Sequence, residues 1–183
     1  ALRRFQAAYA AAAACGRKAL LYDSHAWFAL ALFLNEDIQG AQLQYERLSE
    51  SLLSAGEIEK GAIAKLQSAC CLLWLKSKED IDLSIGQAAS LLQEQKSGDS
   101  WVWLSLLRCY SSSLRGEFAV AQQWWQHATA GGISTIWDVQ ILSPLVLLLG
   151  VEGLSFRDSI TEEIDRFSHF LSGSCFFLSD DVA

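Results

Sequence analysis

The sequence has almost none of the residues that interrupt helices. Pro144 is the one proline in 183 residues, and the twelve glycines fall almost only between apolar segments. No run shows the strict polar–apolar alternation that a half-buried β-strand needs, whereas apolar residues recur at i, i+3 and i+4 throughout. The sequence therefore predicts an all-α fold in which glycines separate the helices.

Charged residues are also scarce. They make up 19% of the chain, against roughly 25% in an average soluble domain, while hydrophobic residues make up 51%. This composition excludes disorder and predicts a large buried core or an adhesive surface. The net charge of −7 disfavours nucleic acid, whose phosphates need a basic face. The most apolar run, 141–151, is too short for the about 20 residues of a membrane span. We expect a cytoplasmic domain that binds no nucleic acid and has no membrane span.

Methionine is absent, and the chain starts with alanine inside a predicted helix without a signal-peptide pattern. We therefore expect a piece of a longer protein. The five cysteines form no C-x-x-C pair, which indicates free thiols in a reducing compartment. Cys70 and Cys71 are adjacent, so on a helix they point about 100° apart and cannot share a ligand. We expect them to pack as small core residues.

Residues that could carry catalysis are few and scattered. No histidine or cysteine lies three or four residues from His25, His127 or His169, so the sequence has no pair of metal ligands on one helix face. Ser168 and His169 are neighbours that point in different directions on a helix, and no Gly-x-Ser-x-Gly elbow occurs. The segment 131–135 lacks the lysine and spacing of a phosphate loop. We expect no enzyme activity, cofactor or metal.

The breaks divide the chain into helical hairpins within one domain. Short connections require antiparallel neighbours, and the predicted hairpins are 24–54, 57–94, 100–130 and 134–171. Residues 1–15 predict a leftover or capping helix whose outer face stays open, which favours self-association. Ser159 with Glu162 predicts a capping box at the start of the last helix. Residues 172–183 form a tail.

Three of these breaks share one residue order. A polar break is followed by an apolar residue and then a small residue, with an aromatic or small residue four positions later. The small residues are Ala41, Ser84 and Ala121, so successive ones are 43 and 37 residues apart. A period near 40 with paired helices indicates a solenoid.

The segment 101–128 resembles a tetratricopeptide-repeat hairpin. The resemblance rests on Trp103, Leu106, Tyr110, Gly116, Ala121, Trp125 and Ala128. The segment 25–48 is similar through Phe28, Ala29, Leu32, Ala41 and Tyr45. The spacing is longer than the family's usual repeat, and the proline after the second helix is missing. The chain therefore resembles the divergent, long-repeat variety, similar to the helical regulatory domains of large bacterial transcription activators. The resemblance implies an α-solenoid whose first helices line an inner groove.

Seven tryptophans are an unusual number, and four of them fall on one predicted hairpin. Trp103 and Trp125 fit packing between hairpins. Trp101 and Trp124 point to other faces and either pack as well or anchor a partner, because tryptophan is prominent in interface energetics.

The predicted groove suggests a function in binding. Its candidate partner-binding residues are Phe33, Leu73, Lys76, Trp101, Leu104, Arg108 and Trp124. An apolar groove with two cations suits a protein or peptide segment that carries a carboxylate, although the cations could simply be solvated. The leading hypothesis is a protein–protein interaction scaffold. The alternatives are a ligand- or peptide-sensing regulatory domain of a transcription activator, and a secretion-type chaperone or adaptor.

Overall fold

The computed structural model describes residues 2–75, 78–92, 98–133, 140 and 142–176, and within them it contains α-helices and no β-strand. The helices are α1 (Leu2–Cys15), α2 (Lys18–Leu34), α3 (Ile38–Ser54), α4 (Ile58–Leu75), α5 (Lys78–Leu91), α6 (Asp99–Leu114), α7 (Phe118–Ala130), α8 (Leu142–Leu149) and α9 (Arg157–Phe176). The predicted all-α class is confirmed. The tail beyond Phe176 and the residues 134–139 lie outside the described residues.

Two predicted helix starts are wrong, and in both cases a serine caused the error. Serine is a frequent N-cap, but the Ser24 hydroxyl donates to the carbonyl of Leu21 inside α2, which begins at Lys18. Ser159 lies inside α9, and its hydroxyl accepts a hydrogen bond from the indole nitrogen of Trp125 at 3.2 Å. The predicted capping box therefore does not form, because Ser159 serves a contact between helices.

Pro144 does not kink the helix that contains it. It is the third residue of α8, in the first turn, where the backbone N–H that proline lacks has no helical partner anyway. Residues 134–139 and 141 of the predicted hairpin 134–171 lie outside the described residues.

Three of the helix connections share one backbone geometry. In the turns after α2, α3 and α6, the middle residue has a left-handed φ, at Glu36 (65°), Gly56 (81°) and Gly116 (74°). In each turn the next residue, which is acidic, donates its N–H to the carbonyl five residues earlier, at 3.0–3.1 Å. That bond satisfies a carbonyl which the helix end leaves open. The acidic residue's own carbonyl then accepts the first hydrogen bond of the next helix.

Helices α4 and α6 form the centre of the fold. Each helix up to α7 packs against the next one, and α8 packs against α9. In addition, α4 and α6 pack against each other and both contact α8. Because neighbours cover them on several sides, these two helices are apolar almost all round. The Ser100 hydroxyl of α6 donates to the Glu59 carboxylate of α4, so both helices start at the same end.

Two hydrophobic clusters divide the core along α4. The first cluster joins α4 to the helices that follow it, and the second joins α4 to α2 and α3. Cys70 belongs to the first and Cys71 to the second, so the adjacent cysteines do point apart as predicted. Burial raises the pKa of the Cys71 thiol to about 12, which keeps it protonated. Both residues act as small core side chains.

Helix α1 packs its aromatic side onto α2. Phe5 stacks on Trp27 at 6.2 Å between ring centroids, and Tyr9 contacts His25 at 4.6 Å and Phe28 at 5.9 Å. The opposite side of α1 carries mostly exposed alanines. The described residues therefore leave that outer face uncovered, and self-association through it stays a prediction.

Candidate ligand-binding groove

A groove of about 240 Å³ opens between α5 and α7, with α6 as its floor. Both α5 and α7 pack against α6 without extensive contact between them, which leaves the space open. We name this space the α5–α7 groove. Its lining residues are Asp82, Ile85, Gly86, Arg108, Ser111, Ser112, Arg115, Glu117, Val120 and Trp124.

The floor of the groove is a polar strip on α6. Arg108, Ser111, Ser112 and Arg115 are spaced by three, four and seven residues, so they lie on a single face of α6. The rest of α6 carries apolar residues of the core together with the buried Ser100, Ser105 and Ser113. Ser111 and Ser112 are small, which keeps the floor low between the two arginines. The sequence of α6 therefore places both guanidinium groups on the open side.

Arg108 stacks on an aromatic ring and has no acidic partner. Its guanidinium carbon lies 4.8 Å from the ring centroid of Trp124, in a cation–π contact. Among the described residues, no carboxylate lies within salt-bridge distance of Arg108. Stacking uses the face of the guanidinium and leaves its N–H edge for a ligand. The Arg108 guanidinium is therefore held in place by Trp124 and has no acidic side chain as a partner among the described residues.

Aromatic contacts hold Trp124 in place under Arg108. Its ring centroid lies 5.8 Å from that of Trp101 and 5.6 Å from that of His127, and Trp101 and His127 are 5.9 Å apart. Trp101 and Trp124 both pack against the first hydrophobic cluster and both remain half-buried. Each of these tryptophans therefore packs on the core and keeps part of its surface accessible, and partner binding by either one stays a prediction.

The second arginine is already neutralised. Arg115 contacts the Asp82 carboxylate at 3.2 Å and the Glu117 carboxylate at 3.2 Å, and it donates to the Ser111 hydroxyl at 2.7 Å. All three charged side chains are about half exposed, so these pairs contribute little stability. These ion pairs occupy one end of the groove, where the carboxylates of Asp82 and Glu117 neutralise Arg115. A smaller cavity of about 100 Å³ shares Asp82, Ser111 and Arg115 with this end.

Neither the backbone conformation nor the packing of the protein requires glycine at position 86. It lies inside α5, where glycine costs about 1 kcal/mol relative to alanine. A Cβ built there would meet no atom within 4 Å, and its φ is not left-handed. Each other glycine from Gly16 to Gly153 either has a left-handed φ or would bring a Cβ within 3.4 Å of another atom. The missing side chain at Gly86 leaves room in the groove instead.

The structure brings together part of the predicted site. Arg108 and Trp124 line the groove, and Trp101 supports it. Leu73 and Leu104 are only 5% and 2% exposed, because α8 packs against α4 and α6 and its leucines join the same cluster. These two leucines therefore do not line an open surface.

Of the other two predicted residues, the one that the structure describes does not line the groove. Phe33 packs half-buried against the second cluster, and Lys76 lies outside the described residues. The lining residues that sequence reasoning missed are Asp82, Ile85, Gly86, Ser111, Ser112, Arg115, Glu117 and Val120. The available signal was the spacing of the two arginines and two serines, which places them on one face of α6.

Other kinds of site find no support in the described part of the chain. No three His, Cys, Asp or Glu side chains there come close enough to hold a metal ion. None of the helices described combines the length and apolar character needed to cross a membrane. Compared with known proteins, the chain matches no family model, no curated protein and no solved structure. The tetratricopeptide resemblance therefore stays a prediction.

Proposed function

We propose that this chain is a protein-interaction module that binds a segment of another protein in the α5–α7 groove. The observation that carries the proposal is Arg108, a guanidinium fixed on Trp124 in an open groove with no carboxylate partner among the described residues. Arginine and tryptophan are the residue types that contribute most to interface energetics. Their joint exposure in a groove favours a partner over a purely internal role.

The dimensions of the groove favour a polypeptide. Arg108 and Arg115 are seven residues apart on α6, which is about 10 Å at 1.5 Å per residue. Six of the groove's ten lining residues are charged or polar, and Ile85, Val120 and Trp124 are apolar. Peptide segments bind such grooves through a few apolar anchors and fixed polar contacts.

We also propose that the helices form a tetratricopeptide-like stack with a repeat near 40 residues. The left-handed turn residues Glu36 and Gly56 are 20 residues apart, and Gly116 follows 60 residues later. One turn geometry at multiples of 20 residues supports a repeat of two helices, in which each helix together with its turn takes about 20 residues. Stacks of this kind present extended surfaces for partners.

A peptide-display selection tests the function. The immobilised chain is challenged with a random peptide library, in parallel with the variants Gly86→Phe and Gly86→Ala. Gly86→Phe places a ring in the groove without touching the core, whereas Gly86→Ala adds only a methyl group and should stabilise α5 by about 1 kcal/mol. Wild type and Gly86→Ala should enrich peptides, and Gly86→Phe should bind them at least about tenfold more weakly, a loss of about 1.4 kcal/mol.

Two outcomes would contradict the proposal. One is that the wild-type chain enriches no peptide family at all. The other is that Gly86→Phe, with a circular dichroism spectrum and melting temperature like those of Gly86→Ala, binds the enriched peptides as tightly as wild type does. In the second case the partner site would lie elsewhere on the surface.

A further inference from the structure

We infer that the segment bound in the α5–α7 groove carries one carboxylate that pairs with Arg108 and an adjacent apolar side chain that packs between Ile85 and Val120. This inference rests on the proposed function and specifies the chemistry of the partner. Four features of the groove support it.

The first feature is the orientation of Arg108. Its guanidinium lies over the Trp124 ring, and the ring is held by Trp101 and His127. A guanidinium fixed by its face presents parallel N–H groups at its edge, which match the two oxygens of a carboxylate. Little side-chain freedom remains to be lost on binding, because the stacking already orders the arginine.

The second feature is the charge pattern, which favours a single carboxylate over a polyanion. Two helical turns along α6 from Arg108, the carboxylates of Asp82 and Glu117 already neutralise Arg115. A second negative group on the ligand would meet these carboxylates at that end and be repelled. A phosphate group or nucleic-acid backbone would also find one cation where it needs several.

The third feature is an apolar wall beside the cation. Val120 is 41% exposed and Ile85 is buried, and both line the groove from opposite helices. Burying the exposed surface of Val120 under a ligand side chain is favourable in proportion to the apolar area removed from water. An apolar side chain next to the acidic residue would fill this space.

The fourth feature is Gly86, which lines the same groove on the α5 side. Because it has no side chain and no internal contact that requires glycine, a partner backbone can approach α5 closely there. Close approach brings the partner's neighbouring side chains within reach of both Arg108 and Val120. Glycine at position 86 destabilises α5, but it leaves room there for the backbone of the partner.

Two peptide-display libraries test the inference. Both are random, but one omits aspartate and glutamate, and both are displayed with a blocked C-terminus so that side chains supply the only carboxylates. We expect the wild-type chain to enrich peptides from the complete library alone, with an acidic and an apolar residue in neighbouring positions. Arg108→Gln should weaken the selected peptides by about ten- to hundredfold, the usual effect of losing a charge-assisted hydrogen bond. Arg4→Glu, a charge change on the exposed side of α1, should leave them unaffected.

The outcomes separate this inference from the proposed function. Equal enrichment from both libraries, with binding lost in Gly86→Phe, would overturn the carboxylate requirement and leave the groove as the binding site. Acidic peptides that bind Arg108→Gln as tightly as wild type would also overturn it. Binding that appears only when a serine in the peptide is phosphorylated would replace the carboxylate with a phosphate. No enrichment from either library would overturn the proposed function itself.

Discussion

Glu36 has a backbone conformation that suits glycine better than glutamate. Its φ of 65° is left-handed, while the equivalent turns use Gly56 and Gly116. For a residue with a Cβ, this conformation costs of order 1 kcal/mol or more. The Glu36 side chain is exposed, and it forms no hydrogen bond or salt bridge with the residues that the structure describes. The sequence does not predict this strained conformation, because glutamate is not a typical residue for a left-handed turn position. Only the turn geometry reveals it.

Replacing Glu36 with glycine should therefore stabilise the protein by roughly 1 kcal/mol. Gly56→Ala is the matched control, since a Cβ at Gly56 meets no atom within 4 Å and only the backbone cost remains. It should destabilise by a similar amount. Denaturant unfolding monitored by circular dichroism measures both. If Glu36→Gly lowered the unfolding midpoint, the left-handed turn would not be strained.

His25 should make stability depend on pH. It is buried beneath Tyr9 and bonded to the Gln44 side chain at 3.0 Å. Burial, with a smaller contribution from the charge of Arg47, lowers the pKa of His25 below 6.5, although the Gln44 contact opposes this. The unfolded chain thus takes up the proton first as the pH falls. The contribution of neutral His25 to the free energy of unfolding is fully present above about pH 6.5. It is lost as the pH falls from there toward the lower pKa that His25 has in the folded protein.

Comparing wild type with His25→Gln tests this pH dependence. Between pH 7.5 and pH 5.5 the melting temperature should fall more for wild type than for the variant, because the two proteins differ only at residue 25. The difference between the two proteins isolates His25. A pH dependence of the same size in both would show that His25 is not held neutral by the fold.

At the scale of the elements, small residues fix where consecutive helices meet. Ala41 and Ala121 are each the fourth residue of their helix, Ser84 is the seventh residue of α5, and all three are buried. Their spacing could be found in the sequence because it depends on local order. The beginnings of α2 and α9 could not, since Ser24 and Ser159 have the residue type of a cap but bond elsewhere.

Enlarging one of these small residues should overpack a helix contact. Ala121→Leu in α7 has no free space around it and should destabilise by about 1–3 kcal/mol. Ala119→Leu makes the same change on the exposed side of the same helix and should stay within about 0.5 kcal/mol of wild type. Equal denaturant midpoints for the two variants would contradict the role of Ala121 at the α6–α7 contact.

At the scale of the whole molecule, the long-range packing of α8 decides which surfaces are accessible. Because α8 lies against α4 and α6, Leu73 and Leu104 are buried and the open groove lies between α5 and α7 instead. No local pattern predicts how α8 packs on helices that precede it by tens of residues. Arg108 and Trp124 could be chosen from the sequence as candidates because charge and size are local properties, whereas their contact between α6 and α7 required the fold.

The indole N–H signals of the seven tryptophans give the most direct test of groove binding. In a two-dimensional ¹H–¹⁵N spectrum assigned by single Trp→Phe variants, a peptide selected on the wild-type chain is titrated into the labelled protein. The account predicts that the Trp124 signal shifts most, that Trp101 follows, and that the exposed Trp27 and Trp74 do not move. A saturable shift of Trp27 or Trp74 with Trp124 unchanged would contradict binding in the α5–α7 groove.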